Sequence, residues 1–264
     1  MLHFFHRIRK QLAEENKPKK YLRYAFGEIV LVVIGILIAL QVNTWNKERD
    51  YSKKEKQYLI NLQRDIDEQI ELINTQIEFE NNITILASDL LKKYNQQNKF
   101  IIDSVFIESM SSLNTRRTFA MANTTYIVLL SSGNIDIIQN SILKNNLIRL
   151  YQKINRMKEI FDKNNNLVDN NIVPFSNDLI YTKALKLNKI YGKEFTVELK
   201  EKENLNQKKL QNITIDQLKI PLNELKLNNQ IRLRLDLSSI NIHFLNELLK
   251  ETIEFQKELI KELE

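Results

Sequence analysis

The hydrophobic pattern changes along the chain, from one continuous apolar run near the N-terminus to periodic amphipathic stretches after it. The run covers residues 24–42, 19 residues in all, and as a helix it would be about 28 Å long. Residues 29–40 within it are all apolar or small. Since the hydrocarbon core of a bilayer is about 30 Å thick, the run predicts a transmembrane helix. A buried core helix is the alternative, disfavoured by the basic segment before the run and the Trp after it.

Aromatic residues stand at both edges of the apolar run, where amphipathic rings prefer the lipid headgroups. Tyr21 and Tyr24 lie at the front edge, and Trp45 lies just past the back edge. No small-residue cleavage site follows, so we expect an uncleaved signal anchor and not a signal peptide. The chain then divides into a basic tail at 1–23, a transmembrane helix at 24–42 and an extramembrane domain at 43–264.

Positive charge is concentrated beside the apolar run. Residues 1–24 carry seven basic and two acidic side chains, whereas residues 43–264 carry 32 basic and 30 acidic ones. The pI of about 9.2 therefore does not indicate a nucleic-acid-binding surface, and we expect no nucleic-acid partner. The positive-inside rule predicts a bacterial inner-membrane protein with a cytoplasmic N-terminus and a periplasmic C-terminal domain. The basic residues nearest the membrane are Lys17, Lys19, Lys20 and Arg23.

One carboxylate, Glu28, interrupts the apolar run about 6 Å from its front edge. One interpretation is that Glu28 reaches back to the headgroups, near Arg23, where a charge costs less than at the bilayer centre. The other is a polar contact with a second membrane helix. Gly35 and Ala39 share a helical face with Glu28 and form a small-x-x-x-small pattern, which lets two helix backbones approach closely. We therefore expect either self-association or docking to a membrane-protein partner through this face.

Two motifs resemble a known family. The first is GEIVLVVIGILIAL at residues 27–40, followed by Asn43, Trp45 and Asn46. The second is TTYIVLLSSGNIDIIQNSILKNNLIRLY at residues 124–151. Together they resemble the domain of unknown function 6090 family, which is frequent in Bacteroidota. The resemblance implies a single-pass membrane protein with a helical extramembrane region, and it implies no activity.

The extramembrane domain has apolar residues spaced three and four apart, as on amphipathic helices. The first stripe, with a 3.6-residue period and not a strict heptad, is Leu59, Leu62, Ile66, Ile70, Ile73 and Ile77, resuming at Phe79, Ile83, Leu86, Leu90 and Tyr94. A second stripe is Leu143, Leu147, Leu150, Ile154, Met157 and Phe161. A third, on a final helix from about residue 237 to 264, is Ile240, Phe244, Leu248, Phe255, Leu259 and Leu263. The fold class is therefore all-α: one N-terminal transmembrane helix followed by an extramembrane up-and-down bundle of three or four long amphipathic helices.

Capping residues predict where several helices begin and end. We expect Asp103 to cap a helix over residues 104–112, and Ser141 to cap the helix of the second stripe. Asn123 or Thr124 should start another helix, which Gly133 ends.

Two regions interrupt the helical pattern. Pro174 should break the helix of the second stripe. Residues 190–236 are ambiguous because NITIDQLKIP and QIRLRLDL alternate with period two, and we interpret them as mostly helical. Within them, Pro221 marks a turn or a helix start.

Residues typical of catalysis are scarce. The chain has no Cys, and the extramembrane domain has a single His, His243, which we interpret as structural or surface-exposed. Ser131, Ser132 and Gly133 form a helix end and not a nucleophile elbow, because no base accompanies them. Asp65 and Asp67 are interpreted as part of a solvated helix face. We expect no enzyme activity, no cofactor and no metal site.

Two functions fit these features. The first is a non-catalytic scaffold or accessory subunit that acts through helix–helix contacts in the bilayer and in the bundle. The second is an extracytoplasmic ligand-sensing module that signals through a partner protein. A buried polar cavity between helices would favour sensing, whereas a broad exposed apolar surface would favour scaffolding.

Overall fold

The computed structural model describes residues 18–182 and 207–264, and this part of the chain is helical with no β-strand. It also contains a 3₁₀-helix (Asn134–Ile137) and a π-helical segment (Val168–Ile172). The prediction of an all-α chain, with one long apolar N-terminal helix followed by further helices, is confirmed. The α-helices are α1 (Pro18–Gln97), α2 (Ser104–Leu113), α3 (Thr124–Ser131), α4 (Ser141–Leu167), α5 (Val173–Leu179), α6 (Gln207–Leu218) and α7 (Pro221–Leu263).

The chain forms two compact units, Met1–Gln57 and Tyr58–Glu264. The described part of the first unit belongs to α1, and its large apolar side chains are exposed; Leu31 and Leu37 are 61% and 58% accessible. An 18-residue window there has a mean hydropathy of 2.5, and none of it is buried. By length and composition, this stretch of helix could cross a membrane.

The second unit is a bundle in which α7 runs antiparallel to both α1 and α4. Asn241 of α7 donates to Glu80 of α1, and Gln256, further along α7, donates to the earlier residue Asp67. Helix α7 is antiparallel to α4 in the same way. Lys153 of α4 donates to Glu251, and the earlier residue Asn146 donates to the later residue Glu258. Consequently α1 and α4 run in the same direction.

The chain between α1 and α4 returns along α1, but not as one helix. The N–H of Ala122 donates to Gln69 at 2.9 Å, and that of Thr125 donates to the earlier residue Asp65 at 2.7 Å. Residues 115–123, between α2 and α3, have no helical structure. The bundle therefore alternates in direction over three long helices and one broken return.

The core of the bundle consists of two main clusters of apolar side chains. One contains Ile66 of α1, Leu147 of α4 and Leu245 of α7. The other contains Ile83 of α1 and Ile231 of α7, with residues of α2. All six residues of the predicted α4 stripe are buried, which confirms that stripe as core.

The first predicted stripe has a different register from the one that we expected. Ile70 and Ile77 are only half-buried, whereas the polar residues Gln69 and Gln76 are buried. Ten buried positions alternate in spacing of three and four, as in a strict heptad; they are 59, 62, 66, 69, 73, 76, 80, 83, 87 and 90, and the neighbouring residues Asp65, Phe79 and Leu91 are also buried.

Two predicted helix ends are confirmed. The side chain of Asp103 accepts from the N–H of Phe106 at 2.7 Å and caps α2. Helix α3 begins at Thr124, and Gly133 follows its end with φ +67°, a conformation that costs glycine little.

The predicted cap of α4 is wrong by one residue. Ser141 is the first helical residue, and Asn140 is the cap. The side-chain oxygen of Asn140 accepts from the N–H groups of Ile142 and Leu143 at 3.1 and 3.2 Å.

Pro174 and Pro221 each lie in the first turn of an α-helix, a position that proline favours. Pro174 does not break the helix as predicted, because the π-helical segment precedes it and α5 begins there. Pro221 begins α7, so the final helix starts well before residue 237. Ile240, which was predicted as core, is 48% exposed because Leu237 and Asn241 occupy the buried face.

We predict that Asn140→Ala lowers the free energy of unfolding by about 1 kcal/mol, because two amides of the first turn of α4 lose their acceptor. Ser141→Ala is the matched control and should change it by much less. Urea denaturation of the full chain in detergent, followed by circular dichroism, measures both. A larger loss for Ser141→Ala than for Asn140→Ala would contradict the assignment of the cap.

Candidate functional site

The three residues predicted to contact another membrane helix lie on one face of α1. Glu28, Gly35 and Ala39 are separated by seven and four residues, so they fall within about 40° around the helix axis. Gly35 and Ala39 are exposed, and Glu28 is half-buried. A Cβ added at Gly35 would meet no atom within 4 Å. We call these three residues the contact face; at Gly35 the described residues leave room for the approach of another helix.

The residues predicted at the membrane interfaces are described only in part. Trp45 is 59% exposed, and Lys19 and Arg23 are also exposed. Three further predicted residues, Lys20, Tyr21 and Tyr24, belong to α1, but their side chains lie outside the described part. Lys17 lies outside the described residues altogether.

Sequence reasoning missed a row of buried polar side chains on α1. Asp65, Gln69, Gln76 and Glu80 are each no more than 4% exposed. The interpretation of Asp65 as part of a solvated face is wrong, whereas Asp67, on the other side of the helix, is exposed. A detectable signal was the spacing, since Gln69, Gln76 and Glu80 continue the three-and-four alternation of the buried apolar residues.

Two of these side chains bind the return to α1: Gln69 binds its non-helical part, and Asp65 binds the first turn of α3. Gln69 accepts from the N–H of Ala122 at 2.9 Å and donates to the carbonyl of Ala120 at 3.4 Å. Asp65 accepts from the N–H of Thr125 at 2.7 Å. A non-helical backbone inside a helical bundle makes no helical hydrogen bonds, and a buried amide without a partner is costly. The polar side chains of α1 supply those partners.

Side chains of helices α4 and α7 also bind the backbone of the same segment. The Tyr151 hydroxyl donates to the carbonyl of Ala122 at 3.0 Å. The guanidinium of Arg234 donates to the carbonyls of Leu113 and Thr115 at 3.2 and 3.1 Å. We call residues 113–125 the clamped segment, because side chains of all three long helices bind its backbone.

A buried ion pair lies beside the clamped segment. Arg234 and Glu80 have side chains that are 3% exposed, and their closest nitrogen and oxygen are 3.7 Å apart. Glu80 also accepts from Asn241 at 3.2 Å and from Gln76 at 3.3 Å. Burial raises the pKa of Glu80, and the charge of Arg234 and the hydrogen bonds to the carboxylate oppose that rise. Arg234 therefore serves two purposes, as counter-charge to Glu80 and as donor to the clamped segment.

Two stacked tyrosines lie at the α3 end of the clamped segment. The rings of Tyr126 and Tyr151 are 4.2 Å apart between centroids and nearly parallel, at 8°. Burial raises the pKa of both, and the nearby carboxylate of Asp65 raises that of Tyr151 further. The Tyr151 hydroxyl is therefore expected to stay protonated, and to keep its hydrogen bond, above the pH at which an ordinary tyrosine ionises.

The remaining candidates for chemistry are structural or exposed. The Ser132 hydroxyl donates to the carbonyl of Val128 at 2.6 Å, as at a helix end. His243 is exposed and lies 3.5 Å from Glu247. Among residues 18–182 and 207–264, no group of three or more His, Cys, Asp or Glu side chains could hold a metal ion. Buried polar side chains of the three long helices hydrogen-bond to the backbone of the bundle and hold it in place.

A family model described as a family of unknown function (DUF6090) matches residues 28–199, which is more than half of the chain. The match covers the contact face and the clamped segment. No curated protein and no solved structure matches the chain.

We predict that Arg234→Met lowers the free energy of unfolding by about 3–5 kcal/mol near neutral pH, because Glu80 is left buried without a counter-charge. The pKa of Glu80 then rises further. A folded-state pKa above the unfolded one gives stability that is present below the unfolded pKa and is lost as pH rises through the folded pKa. The deficit should therefore be smaller at about pH 5 than at about pH 8.

Urea denaturation of the full chain at both pH values measures this difference. The double variant Arg234→Met with Glu80→Gln removes the buried charge and should show a deficit that no longer varies with pH over this range. A deficit of Arg234→Met that is equal at both pH values would contradict the role of Glu80.

Proposed function

Because the chain belongs to DUF6090, a family of unknown function, we propose its function from the geometry of its own residues. We propose a single-pass protein of the bacterial inner membrane that acts as a non-catalytic scaffold or accessory subunit. Its membrane helix contacts a second copy or another membrane protein, and its bundle engages a partner outside the cytoplasm.

The observation that carries this proposal is the exposed apolar stretch of α1. An 18-residue window with a mean hydropathy of 2.5 has none of its residues buried. Apolar surface of that extent is unfavourable in water and favourable in a bilayer. Gly35 and Ala39 on its open face would let a second helix approach, and Glu28 would supply a polar contact beside them.

The orientation rests on the position of the basic residues. Lys17, Lys19, Lys20 and Arg23 precede the apolar stretch, so the N-terminal side faces the cytoplasm. Residues 43–264, which contain the bundle, then lie in the periplasm. Tyr21, Tyr24 and Trp45 would sit at the two headgroup layers.

The interior of the bundle supports a scaffold more than a sensor. The buried side chains of Asp65, Gln69, Tyr151 and Arg234 are committed to the backbone of the clamped segment. A site for a small polar ligand needs convergent polar groups that remain available to the ligand. These four side chains instead stabilise the bundle, as a rigid scaffold requires.

Photo-crosslinking tests the contact face. A photoreactive amino acid at Val32, beside the contact face, should form adducts in native membranes. The matched control is Leu37, which lies between Gly35 and Ala39 in depth but on the opposite side of the helix, and it should form few. Glu28→Leu should reduce the yield from position 32 about fivefold or more, since an interhelical hydrogen bond contributes about 1–2 kcal/mol in model helices.

Glu28→Gln keeps the hydrogen-bonding capacity and should retain most of the yield. Native mass spectrometry of the protein in mild detergent then distinguishes a second copy from a foreign subunit. Equal adducts from positions 32 and 37, or a yield unchanged in Glu28→Leu, would overturn the contact role.

We predict the topology from the same proposal. The chain has no Cys, so a single one can be introduced at Lys10 or at His243, whose side chain is 70% exposed. A membrane-impermeant maleimide should label His243→Cys in cells with a permeabilised outer membrane. It should label Lys10→Cys only after the inner membrane is disrupted, and the reverse pattern would contradict the orientation.

A further inference from the structure

An apolar groove of about 310 Å³ lies between α1 and α2 on the outside of the bundle. Its floor includes Phe79 and Ile83, which are 2% and 1% exposed. Ile85 of α1 and Val105 of α2 also line it and are 58% and 54% exposed. Large apolar side chains exposed beside a buried apolar floor are typical of interaction sites.

The shape of the groove fits a helix. Each of its two walls is one helix face with residues at i, i+3, i+4 and i+7, the pattern with which helices pack on one another. On α1 these residues are Phe79, Asn82, Ile83 and Leu86, of which Phe79 and Ile83 also form the floor. On α2 they are Val105, Glu108, Ser109 and Ser112. A third helix laid between these faces would extend the bundle. The volume is at the lower limit for a small-molecule pocket, which favours a helix over a small ligand.

The charge around the groove is negative. Of the described residues that line it, Glu108 is the only one with an ionisable side chain. Glu78 and Asp89, both exposed on α1, lie one turn before Asn82 and one turn after Ile85. Lys92 and Lys93 follow about one turn beyond Asp89. Charge complementarity therefore favours an occupant with basic side chains beside its apolar ridge.

We propose that this groove docks an amphipathic helix of a partner protein that carries an apolar ridge flanked by Lys or Arg. This inference rests on the proposed function and specifies the chemistry of the partner. Leucine-sized side chains of the partner fill the space above Phe79 and Ile83. Its basic side chains pair with Glu108 and with the acidic residues of α1.

Two synthetic peptides of about 14 residues, or four helical turns, test this proposal. They share one leucine ridge at i, i+3, i+4 and i+7 and differ only in their flanking residues, which are Lys in one and Glu in the other. Binding to the full chain in nanodiscs of zwitterionic lipid is measured by fluorescence anisotropy, and binding to empty nanodiscs is subtracted. The Lys peptide should bind about tenfold or more tightly than the Glu peptide.

Three variants locate the binding site. Ile85→Asp places a charge in the groove and should abolish binding of the Lys peptide. Glu108→Lys should remove most of its advantage over the Glu peptide. Ile142→Asp is the matched control, because Ile142 is a 70% exposed apolar residue of α4 that does not line the groove, and it should leave binding unchanged.

Absence of binding above empty nanodiscs, or binding that is equal for both peptides and insensitive to Ile85→Asp, overturns the proposal. A native mass that falls in Ile85→Asp while the peptides fail to bind would show that a second copy covers the groove, which also overturns it. Circular dichroism verifies that each variant is folded. Crosslinking from Val32 in the bilayer is a separate readout, so failure of the groove and failure of the contact face are distinguishable.

Discussion

The bundle depends on hydrogen bonds between buried side chains and a non-helical stretch of backbone. Where a fourth long helix would have satisfied its own amides and carbonyls, residues 115–123 have no helical structure, and their polar groups need partners from elsewhere. Gln69, Tyr151 and Arg234, one from each long helix, supply them. The broken return and the polar core are thus two aspects of one arrangement, since the polar groups of each are the hydrogen-bond partners of the other.

The same arrangement restricts how the three long helices can pack. Apolar heptads alone tolerate shifts by one or more turns, whereas a polar residue at a core position specifies register at some cost in stability. Gln69 and Glu80 occupy such positions on α1, and Asn241 and Arg234 face Glu80 from α7. A shift by one turn would separate these groups and leave a carboxylate, a guanidinium and several backbone groups buried without partners.

The two units present different surfaces. The bundle places its apolar stripes inside and leaves separate exposed apolar residues at the groove between α1 and α2, on α3 and near the start of α7. The described part of the first unit has no interior, and its apolar side chains face outward. The separate exposed apolar residues of the bundle suit protein partners outside the membrane, and the outward-facing apolar side chains of the first unit suit a bilayer. This division underlies the proposed role as a membrane-anchored scaffold or accessory subunit.

The sequence by itself determined the features that depend on local composition and period. The apolar run of residues 24–42, the stripe of α4 and the caps at Asp103 and Gly133 belong to this class, because each is set by neighbouring side chains. Two residue motifs, at 27–40 and 124–151, also pointed to the family before any tertiary contact was known. What they could not give is the set of groups that the buried polar side chains bind.

Only the tertiary structure shows what Asp65 and Gln69 bind, because their partners are backbone groups more than fifty residues away. It also explains QIRLRLDL, which alternates in sequence but is helical in α7: Ile231, Arg234 and Leu237 are buried at a helical spacing. A buried arginine cannot be recognised from a pattern that counts arginine as polar and exposed. Its burial is favourable here because the carbonyls of Leu113 and Thr115 and the carboxylate of Glu80 come together only in the folded chain.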